Sequence, residues 1–357
     1  MKIAILGTRG IPNNHGGYEQ FTEYFAKYLV KSGYETYVYN SSLHPYKKKT
    51  WNGVHIIHKY DPENKLGTSG QFIYDLNCIL DIRRKKMDVV FQLGYTSSSI
   101  WNWLIPKNVK LITNMDGLEW KRSKYSKKVR NFLKYAEKLA VKHSDILISD
   151  SPGIQEYLKN KYTVESEYIA YGVESENEYN DSIMQELAVT KNKYNMLIAR
   201  IEPENNIEVI LNGVVNSNCE NDFLVIGNAD NSFGKYLIDR FKNYNKIRFI
   251  GSIYNLPKLN SLRKNSSIYF HGHSVGGTNP SLLEAMASYA FVCAHDNIFN
   301  KSILKKNAFY FLDENDIINV LESKNKKEYQ SFLDQNYKRV VKDFNWKIIN
   351  EKYEKLI

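Results

Sequence analysis

The sequence predicts an α/β protein made of two doubly wound, Rossmann-like domains. Short apolar stretches alternate with amphipathic stretches twice along the 357 residues, and a polar, acidic segment without periodicity, 174–181, separates the two series. Each series has the order of strands and helices that builds a parallel sheet covered by helices on both faces. The composition is that of a globular protein, with 43% hydrophobic residues and three scattered cysteines. It favours neither a disulfide framework, nor a zinc site, nor a low-complexity chain.

In the first half, strands are predicted where short apolar runs end in glycine or polar residues. The first strand, 2–6, leads into a glycine-rich loop, 7–17, and then into a helix that begins near Tyr18 and ends before Gly33. The further strands are predicted at 34–39, 54–59, 88–92, 109–113, 145–149 and 167–170. The helices between them are predicted at 71–86, 125–142 and 153–159.

The second half repeats this alternation after the acidic segment. Its strands are predicted at 194–199, 222–226, 246–250, 267–270 and 291–294, and its helices at 207–216, 233–241, 256–264 and 280–289. The tail from 326 to 357 is predicted to be helical, and its aromatic residues are typical of a segment that packs against another domain. We therefore expect domains at 1–180 and 181–335 and a C-terminal helix, 336–357, that returns to the first domain.

Charge and hydropathy indicate where the chain acts. The net charge is +10, and the segment 119–142 alone holds nine lysines and arginines against two glutamates. Such a patch attracts nucleic acid, an anionic membrane surface or a lipid pyrophosphate, although a plain solvated helix face has the same pattern. No apolar run approaches the ~20 residues that cross a bilayer, and the run 3–6 is too short for a signal peptide. We expect a cytoplasmic protein.

Two glycine-rich loops and one arginine stand at the carboxyl ends of predicted strands. The loop 7–17 lacks the dinucleotide fingerprint, but Gly16 and Gly17 would let a phosphate approach a helix N-terminus, unless they only form a tight turn. Arg200 could bind a diphosphate bidentately or bridge to a neighbouring glutamate. Gly276 and Gly277 precede a helix in which Glu284 could accept two ribose hydroxyls or act only as a surface residue favoured by the helix dipole.

The histidines of these loops are weaker candidates. His15, His271 and His273 could serve as ligands or proton carriers, but a structural histidine with hydrogen bonds is the commoner case. Neither the histidine spacing nor the cysteine spacing is that of a metal site.

Five short motifs are spread over residues 1–294. They are Gly-Thr-Arg-Gly-Ile-Pro at 7–12 with His-Gly-Gly-Tyr-Glu at 15–19, Asn-Met-Asp-Gly-Leu-Glu-Trp-Lys-Arg at 114–122, Asp-Ser-Pro-Gly-Ile at 150–154, Arg-Ile-Glu-Pro-Glu-Asn-Asn-Ile at 200–207, and Gly-Gly-Thr-Asn-Pro-Ser-Leu-Leu-Glu-Ala-Met-Ala at 276–287. Together they resemble the GT-B, family-4 type of nucleotide-sugar glycosyltransferases. The resemblance is closest to the bacterial rhamnosyltransferases of capsule and cell-wall polysaccharide synthesis.

The resemblance implies a GT-B fold of two facing Rossmann-like domains with a C-terminal crossover helix. It assigns catalytic roles to Asp116, Arg200 and Glu284. It implies that the donor nucleotide is bound by Gly16, Gly17, Arg200, Glu204, Asn205, Asn206, Gly276, Gly277, Thr278, Asn279 and Glu284. It places His15, Tyr18, Asp116, Gly117, Glu119, Trp120 and Arg122 on the acceptor side. The basic segment would then bind the membrane through Lys121, Lys124, Lys127, Lys128 and Arg130.

Two positions depart from the usual family-4 pattern. Gly276 stands where these enzymes usually have a first acid, eight residues before the second, and Asn205 stands where they usually have a lysine. Both differences are compatible with the rhamnosyltransferase branch, since a 6-deoxy sugar needs fewer polar partners. They favour dTDP-rhamnose as the donor.

The expected activity is a retaining transfer without a cofactor or metal. Its partners would be a nucleotide sugar, a saccharide acceptor on a polyprenyl pyrophosphate and the anionic inner face of the cell membrane, where the protein would lie peripherally. The alternatives are a family-4 transferase that uses a UDP- or GDP-linked sugar, and a GT-B-like sugar-nucleotide epimerase. A basic nucleic-acid-binding protein and a nicotinamide oxidoreductase are the weakest alternatives, because their motifs are missing.

Overall fold

The chain forms two compact units. The computed structural model describes residues 1–14, 16–122 and 125–357. The first unit comprises Met1–Tyr171 and Trp346–Ile357, and the second comprises Gly172–Asn345. His15 and Lys124, which the sequence proposed for the acceptor side and for membrane binding, lie outside the described residues.

The first unit is built on a mostly parallel sheet. Within the described residues its strands are β1 (Lys2–Leu6), β2 (Glu35–Ser41), β3 (Thr50–Trp51), β4 (Val54–Lys59), β5 (Val89–Leu93), β6 (Lys110–Asn114), β7 (Ile146–Ser149) and β8 (Glu167–Tyr168). Their spatial order is β3-β4-β2-β1-β5-β6-β7-β8, and among these described strands only the pair β3-β4 is antiparallel. The helices that accompany them are α1 (Gly17–Lys31), α2 (Glu63–Leu66), α3 (Gly70–Lys85), α4 (Lys127–His143) and α5 (Pro152–Tyr162), with a 3-10 helix at Ser99–Leu104.

The second unit has a parallel sheet of its own. Its strands are β9 (Tyr194–Ile198), β10 (Asp222–Ile226), β11 (Ile247–Gly251), β12 (Tyr269–His271), β13 (Val292–His295) and β14 (Phe309–Phe311), in the spatial order β11-β10-β9-β12-β13-β14. Its helices are α6 (Ser182–Glu186), α7 (Ile207–Asn216), α8 (Ser232–Phe241), α9 (Leu256–Asn265), α10 (Pro280–Ala287), α11 (Ile298–Leu304), α12 (Glu314–Ser323) and α13 (Gln330–Arg339), followed by a π-helix at Val340–Phe344.

The central strands are apolar because helices cover both faces of each sheet. Ile3, Ala4, Ile5 and Leu6 of β1 are fully buried. The chain leaves β1 through Gly7, whose φ is +89° and at which a Cβ would lie 2.2 Å from the carbonyl oxygen of the neighbouring strand β5. A side chain cannot fit there, so the glycine lets the chain turn sharply at the carboxyl end of the sheet.

The final helix, α14 (Trp346–Glu354), belongs to the first unit. Trp346 is buried and stacks on Tyr24 of α1, with ring centroids 4.5 Å apart and planes 10° apart. Phe21 of α1 lies 4.6 Å from Tyr353, and Tyr171 meets the Trp346 ring edge-on at 5.0 Å. This aromatic cluster fixes α14 on α1, because large aromatic surfaces dominate packing energy.

The boundaries of the units differ from the sequence expectation of 1–180, 181–335 and 336–357. The first unit gives way to the second at Tyr171/Gly172, and the chain comes back to the first unit at Asn345/Trp346. The physical reason is local pairing: the Val173 N–H donates to the Phe344 carbonyl oxygen at 2.8 Å, which fixes both segments in the second unit. The tail is also divided, since Asn345 is extended between the π-helix and α14.

We predict that Trp346→Ala lowers the free energy of unfolding by about 3–5 kcal/mol, the usual range for deleting a buried aromatic side chain. Urea denaturation followed by near-ultraviolet circular dichroism measures this. Trp103 is a matched control because 65% of its surface is exposed, and Trp103→Ala should cost less than about 0.5 kcal/mol. Equal losses in the two variants would contradict the anchoring role of Trp346.

Candidate functional site

The second sheet has a reversal of strand order between β9 and β12. The chain continues from β9 to β10 on one side, whereas β12 is added on the other side of β9. Ligands of doubly wound sheets bind outside the carboxyl ends of the strands at such a point. Arg200 follows β9 there and the loop 272–279 follows β12, so the fold brings these two predicted segments to one edge.

Hydrogen bonds join the two segments directly. The Glu204 carbonyl oxygen accepts bonds from the Ser274 N–H at 3.1 Å and from its hydroxyl at 2.7 Å, and the Asn206 amide donates to the Gly272 carbonyl oxygen at 2.8 Å. A Cβ on Gly272 would lie 2.0 Å from the Asn205 carbonyl oxygen. Only glycine allows this approach, a requirement that the sequence analysis missed.

The Arg200 guanidinium is exposed and forms no ion pair within the described residues. The alternative in which it bridges to Glu202 or Glu204 is therefore not seen in the described structure. The Arg200 carbonyl oxygen accepts a 2.7 Å bond from the amide of buried Asn205. Asn205 thus stabilises the turn, and Arg200 supplies the positive charge.

Residues 276–279 lead into α10. Gly276 has a φ of +127°, and a Cβ there would meet nothing within 4 Å. Asn279 is the N-cap, with its side-chain oxygen accepting from the Ser281 N–H at 3.0 Å, and Thr278 is buried. The N–H groups of the first helical turn lie beside this loop and favour an anion there. Gly277 completes the predicted loop and is partly exposed.

Glu284 lies one turn into α10 and is not a free surface residue. Its Oε2 accepts from Arg263 at 2.5 Å, and 19% of its side chain is exposed. Arg263 of α9 is itself buried, with 1% of its side chain exposed. The sequence did not single out Arg263, because a basic residue near a helix C-terminus is usually a surface residue.

His271 departs from the hydrogen-bonded histidine that the sequence favoured. Its ring stacks on His273 with centroids 4.4 Å apart and planes 15° apart, and neither of its ring nitrogens has a hydrogen-bond partner within the described residues. Burial, followed by His273 and Arg263, lowers the pKa of His271 well below its usual value. The imidazole is therefore neutral at physiological pH.

The first unit carries the predicted acceptor-side residues after β6. Asp116 has a φ of +53°, and the Asn114 side-chain oxygen accepts from its N–H at 2.9 Å. The Asn114 amide donates to the Tyr353 hydroxyl at 2.8 Å, so α14 helps to fix this turn. Gly117 is buried beside Asp116. Burial, and then the nearby charges of Asp116 and Asp150, raise the pKa of Tyr18 of α1 well above its usual value.

The pKa of the Asp116 carboxyl group is higher than is usual for an aspartate. Burial and then the Glu119 charge raise its pKa to about 6, while the Gly117 N–H, Arg122 and Tyr18 act in the opposite direction. Glu119 accepts a 2.6 Å bond from the Arg122 Nε, which partly neutralises it. A carboxyl group of this kind changes charge close to neutral pH, as acid and base groups in active sites often do.

Trp120 is held by a carboxylate that the sequence analysis did not single out as a site residue. Its indole N–H donates to Glu137 at 3.1 Å, and the ammonium of Lys134 lies 4.6 Å from the centre of its ring. Buried Glu137 also accepts from Tyr157 at 2.7 Å, Tyr162 at 2.6 Å and Lys161 at 2.8 Å. Glu137 is one of only two acidic residues in the basic segment. This exception to the charge pattern is the signal by which the sequence could have singled it out.

The glycine pair of the first loop lies at the start of α1. Gly16 is the N-cap, has no side chain to cap the helix, and is extended; Gly17 is the first helical residue. Glu19 is buried and accepts from the Arg9 N–H at 2.7 Å and the Thr8 hydroxyl at 3.1 Å. Glu19 therefore stabilises the loop, a role that the sequence analysis did not assign.

The described lysines of the basic segment are exposed. Lys121, Lys127 and Lys128 are exposed and Arg130 is partly buried. No helix within the described residues is both long and apolar enough to span a bilayer. Nor do those residues contain a group of three histidine, cysteine or acidic side chains placed to hold a metal ion.

The charged neighbours Glu119 and Arg122 lead to a prediction of how the ionisation of Asp116 depends on pH. Asp116 should be mostly ionised above pH 6 and mostly protonated below it, because its pKa is raised to about 6. Glu119→Gln removes a charge that raises this pKa, so the transition should move to lower pH; Arg122→Gln should move it to higher pH. A ¹³C NMR titration of labelled aspartate carboxyls measures the shift, with Asp116→Asn to assign the signal. Shifts in the opposite directions would contradict this electrostatic account.

Comparison with known proteins identifies the fold. Residues 1–174 match a family described as a domain of unknown function, DUF1972, and no curated protein matches the sequence.

Among solved structures, sucrose-phosphate synthase from Thermosynechococcus elongatus is similar at 15% identity with a TM-score of 0.80, covering 99% of this chain and 98% of that one. Anabaena HepE in complex with UDP and glucose has 13% identity and a TM-score of 0.76 over 99% and 98%. The α,α-trehalose 6-phosphate synthase from Burkholderia multivorans has 10% identity and a TM-score of 0.72 over 100% and 97%. The two Rossmann-like units thus have the GT-B fold, which confirms the fold class predicted from the sequence.

Proposed function

We propose that the chain is a retaining glycosyltransferase that moves L-rhamnose from dTDP-rhamnose onto a lipid-linked saccharide in bacterial surface polysaccharide synthesis. The observation that carries this proposal is the exposed guanidinium of Arg200, which has no ion pair in the described structure and stands at the strand-order reversal of the second sheet. Support also comes from the GT-B fold and from the structures of Anabaena HepE in complex with UDP and with UDP-glucose.

The second unit would bind the donor. Arg200 would pair with the diphosphate, and the backbone N–H groups of the Gly276–Gly277 loop and of the start of α10 would add hydrogen bonds. Glu284 would accept a hydrogen bond from the 3′-hydroxyl of the deoxyribose in dTDP, or from a ribose hydroxyl if the donor is UDP- or GDP-linked.

The choice of a 6-deoxy sugar follows from positions 276 and 205, neither of which carries a charged side chain. Gly276 presents no carboxylate to a sugar hydroxyl. A Cβ added at this position would have no neighbouring atom within 4 Å. Asn205 carries no charge, and its amide is already bonded to the Arg200 carbonyl oxygen. Rhamnose has a methyl group where glucose has a hydroxymethyl group, and without the 6-hydroxyl it requires one polar partner fewer.

The proposed reaction is a substitution on one face of the sugar. The bond between the anomeric carbon and the phosphate oxygen breaks while the acceptor oxygen bonds to the same face of that carbon. The proton of the acceptor hydroxyl passes to the departing phosphate oxygen. Arg200 and the backbone N–H groups stabilise the developing charge of the diphosphate, and Asp116 as a carboxylate orients the acceptor or stabilises positive charge at the anomeric carbon.

We predict that dTDP-rhamnose raises the melting temperature in a thermal-shift screen and that Arg200→Ala and Glu284→Ala each weaken its binding by at least tenfold. The screen should include UDP-glucose and GDP-mannose. Arg240→Ala is a matched control, because Arg240 is a half-exposed arginine of α8 that pairs with Glu208. Unchanged donor binding in both variants would contradict the proposed site.

The nucleotide-sugar screen, a product assay without acceptor and a DNA mobility-shift assay distinguish the alternative functions. Stabilisation by UDP-glucose or GDP-mannose alone would keep the transferase and replace the donor. Release of a free epimerised sugar nucleotide without an acceptor would identify an epimerase. A salt-dependent mobility shift of DNA, with no response to any nucleotide sugar, would favour the nucleic-acid-binding alternative.

We further propose that the basic segment binds the anionic inner face of the membrane, where a polyprenyl pyrophosphate acceptor would be presented. Exposed Lys127 and Lys128 begin α4, and Phe132 of the same helix contacts Phe72 of α3 with ring centroids 5.5 Å apart. Trp103, 65% exposed, and Ile73, 38% exposed, belong to the 3-10 helix and to α3. Basic groups beside exposed aromatic and aliphatic ones are typical of interfacial binding.

Liposome flotation at low salt tests this prediction. The triple variant Lys121→Glu, Lys127→Glu, Lys128→Glu should reduce binding to phosphatidylglycerol vesicles by at least tenfold, since each basic residue near the surface contributes about 1 kcal/mol. Reversal of exposed Lys193, Lys235 and Lys306 in the second unit is the matched control. Equal binding by the two triple variants would contradict the proposal.

A further inference from the structure

Arg263 is a cation without access to solvent, enclosed between α9 and α10. Its Nη2 donates to Glu284 at 2.5 Å and its Nη1 donates to the Asn260 side-chain oxygen at 3.1 Å. Only 1% of its side chain is exposed. A buried guanidinium is costly unless it is paired and hydrogen-bonded, so this arrangement commits Arg263 to Glu284.

The second partner of Arg263 is itself fixed. The Asn260 side-chain oxygen also accepts from the Ser288 hydroxyl at 3.2 Å, and the Asn260 amide donates to the Asn177 side-chain oxygen at 3.2 Å. The Asn177 amide donates to Ser288 at 3.4 Å. Arg263 therefore has two anchored acceptors and little freedom to turn.

Within the described residues, only one of the two carboxylate oxygens of Glu284 accepts a hydrogen bond. Its Oε2 accepts from Arg263, whereas within the described residues no hydrogen bond to Oε1 is found, and 19% of the side chain remains exposed. The carboxylate therefore has a fixed plane and one available oxygen. A planar guanidinium that holds Glu284 and Asn260 at once fixes this plane, which the compact ammonium of lysine does less well.

We infer that Arg263 is a positioning residue for nucleotide recognition: it holds the Glu284 carboxylate in the orientation in which the free oxygen accepts a ribose hydroxyl. This inference rests on the proposed function, in which Glu284 contacts the ribose. Arg263 acts on the ligand only through Glu284, since its Nη1 and Nη2 donate inside the unit and only 1% of its side chain is exposed.

The test compares two ligands that differ by one hydroxyl. Binding of dTDP and of 2′,3′-dideoxythymidine diphosphate is measured by isothermal titration calorimetry, and the ratio of their dissociation constants gives the contribution of the ribose 3′-hydroxyl. If the screen above selects uridine, UDP and 3′-deoxyuridine diphosphate replace them, so that the two ligands again differ by the 3′-hydroxyl alone. We expect a ratio of about ten or more in the natural protein and a ratio near one in Glu284→Ala.

Arg263→Met should reduce the ratio to near one, and Arg263→Lys should leave an intermediate ratio. Arg248→Met, which breaks the pair of Arg248 with Asp222 at 3.0 Å elsewhere in the same unit, should keep the natural ratio. If Arg263→Met does not fold, as judged by circular dichroism, the intermediate ratio of Arg263→Lys decides.

A natural ratio in both Arg263 variants, with binding of the two ligands weakened equally, would overturn the inference and leave Arg263 with a structural role only. A natural ratio in Glu284→Ala is a different failure: it would overturn the ribose contact of the proposed function and this inference with it. A loss of the ratio in Glu284→Ala but not in the Arg263 variants would overturn the inference alone.

Discussion

Parallel strand pairing is the constraint on which the rest of the structure depends. A parallel sheet places the carboxyl ends of all its strands at one edge, and the connecting helices bury both faces. The polar residues that follow the strands are therefore the groups left available for chemistry. In the second unit this edge presents Arg200 and the loop 272–279, joined by the bonds of Glu204 and Asn206. In the first unit the residues after β6 occupy the corresponding position, with Asp116 in a left-handed turn.

Three glutamate or aspartate side chains show how the surroundings decide the role of a carboxylate. Glu137 is buried among hydrogen-bond donors and fixes Trp120, so its work is structural. Asp116 has a pKa raised to about 6 by burial and by its acidic neighbour Glu119, which makes its charge responsive to pH. Glu284 is held by one buried arginine and keeps one oxygen available. The residue type alone does not distinguish these cases; partners and burial do.

The sequence predicted two Rossmann-like domains because the signals for them are local and repeated, whereas the GT-B fold was implied by the resemblance that the five motifs carry. Apolar runs of strand length alternate with helical periodicity in both halves, and glycine marks the turns, as at Gly7, where the close approach of β5 excludes any side chain. Partners distant in the chain escaped prediction. Arg263 and Glu284 are apart in sequence and meet only when α9 packs beside α10. The His271 ring, which has no hydrogen-bond partner in the described part of the chain, depends on the packing around β12. The short strand Phe309–Phe311 was missed because three residues carry too little pattern.

The central claim is that a nucleotide sugar binds at the carboxyl edge of the second sheet. The most direct measurement is photo-crosslinking with a dTDP-sugar that carries a diazirine on its diphosphate-linked sugar, followed by peptide mapping. The account predicts labelling of the peptides that contain 200–206 and 272–284, suppressed by excess unlabelled dTDP-rhamnose. Labelling confined to the basic segment 119–142, or unaffected by the unlabelled donor, would contradict it.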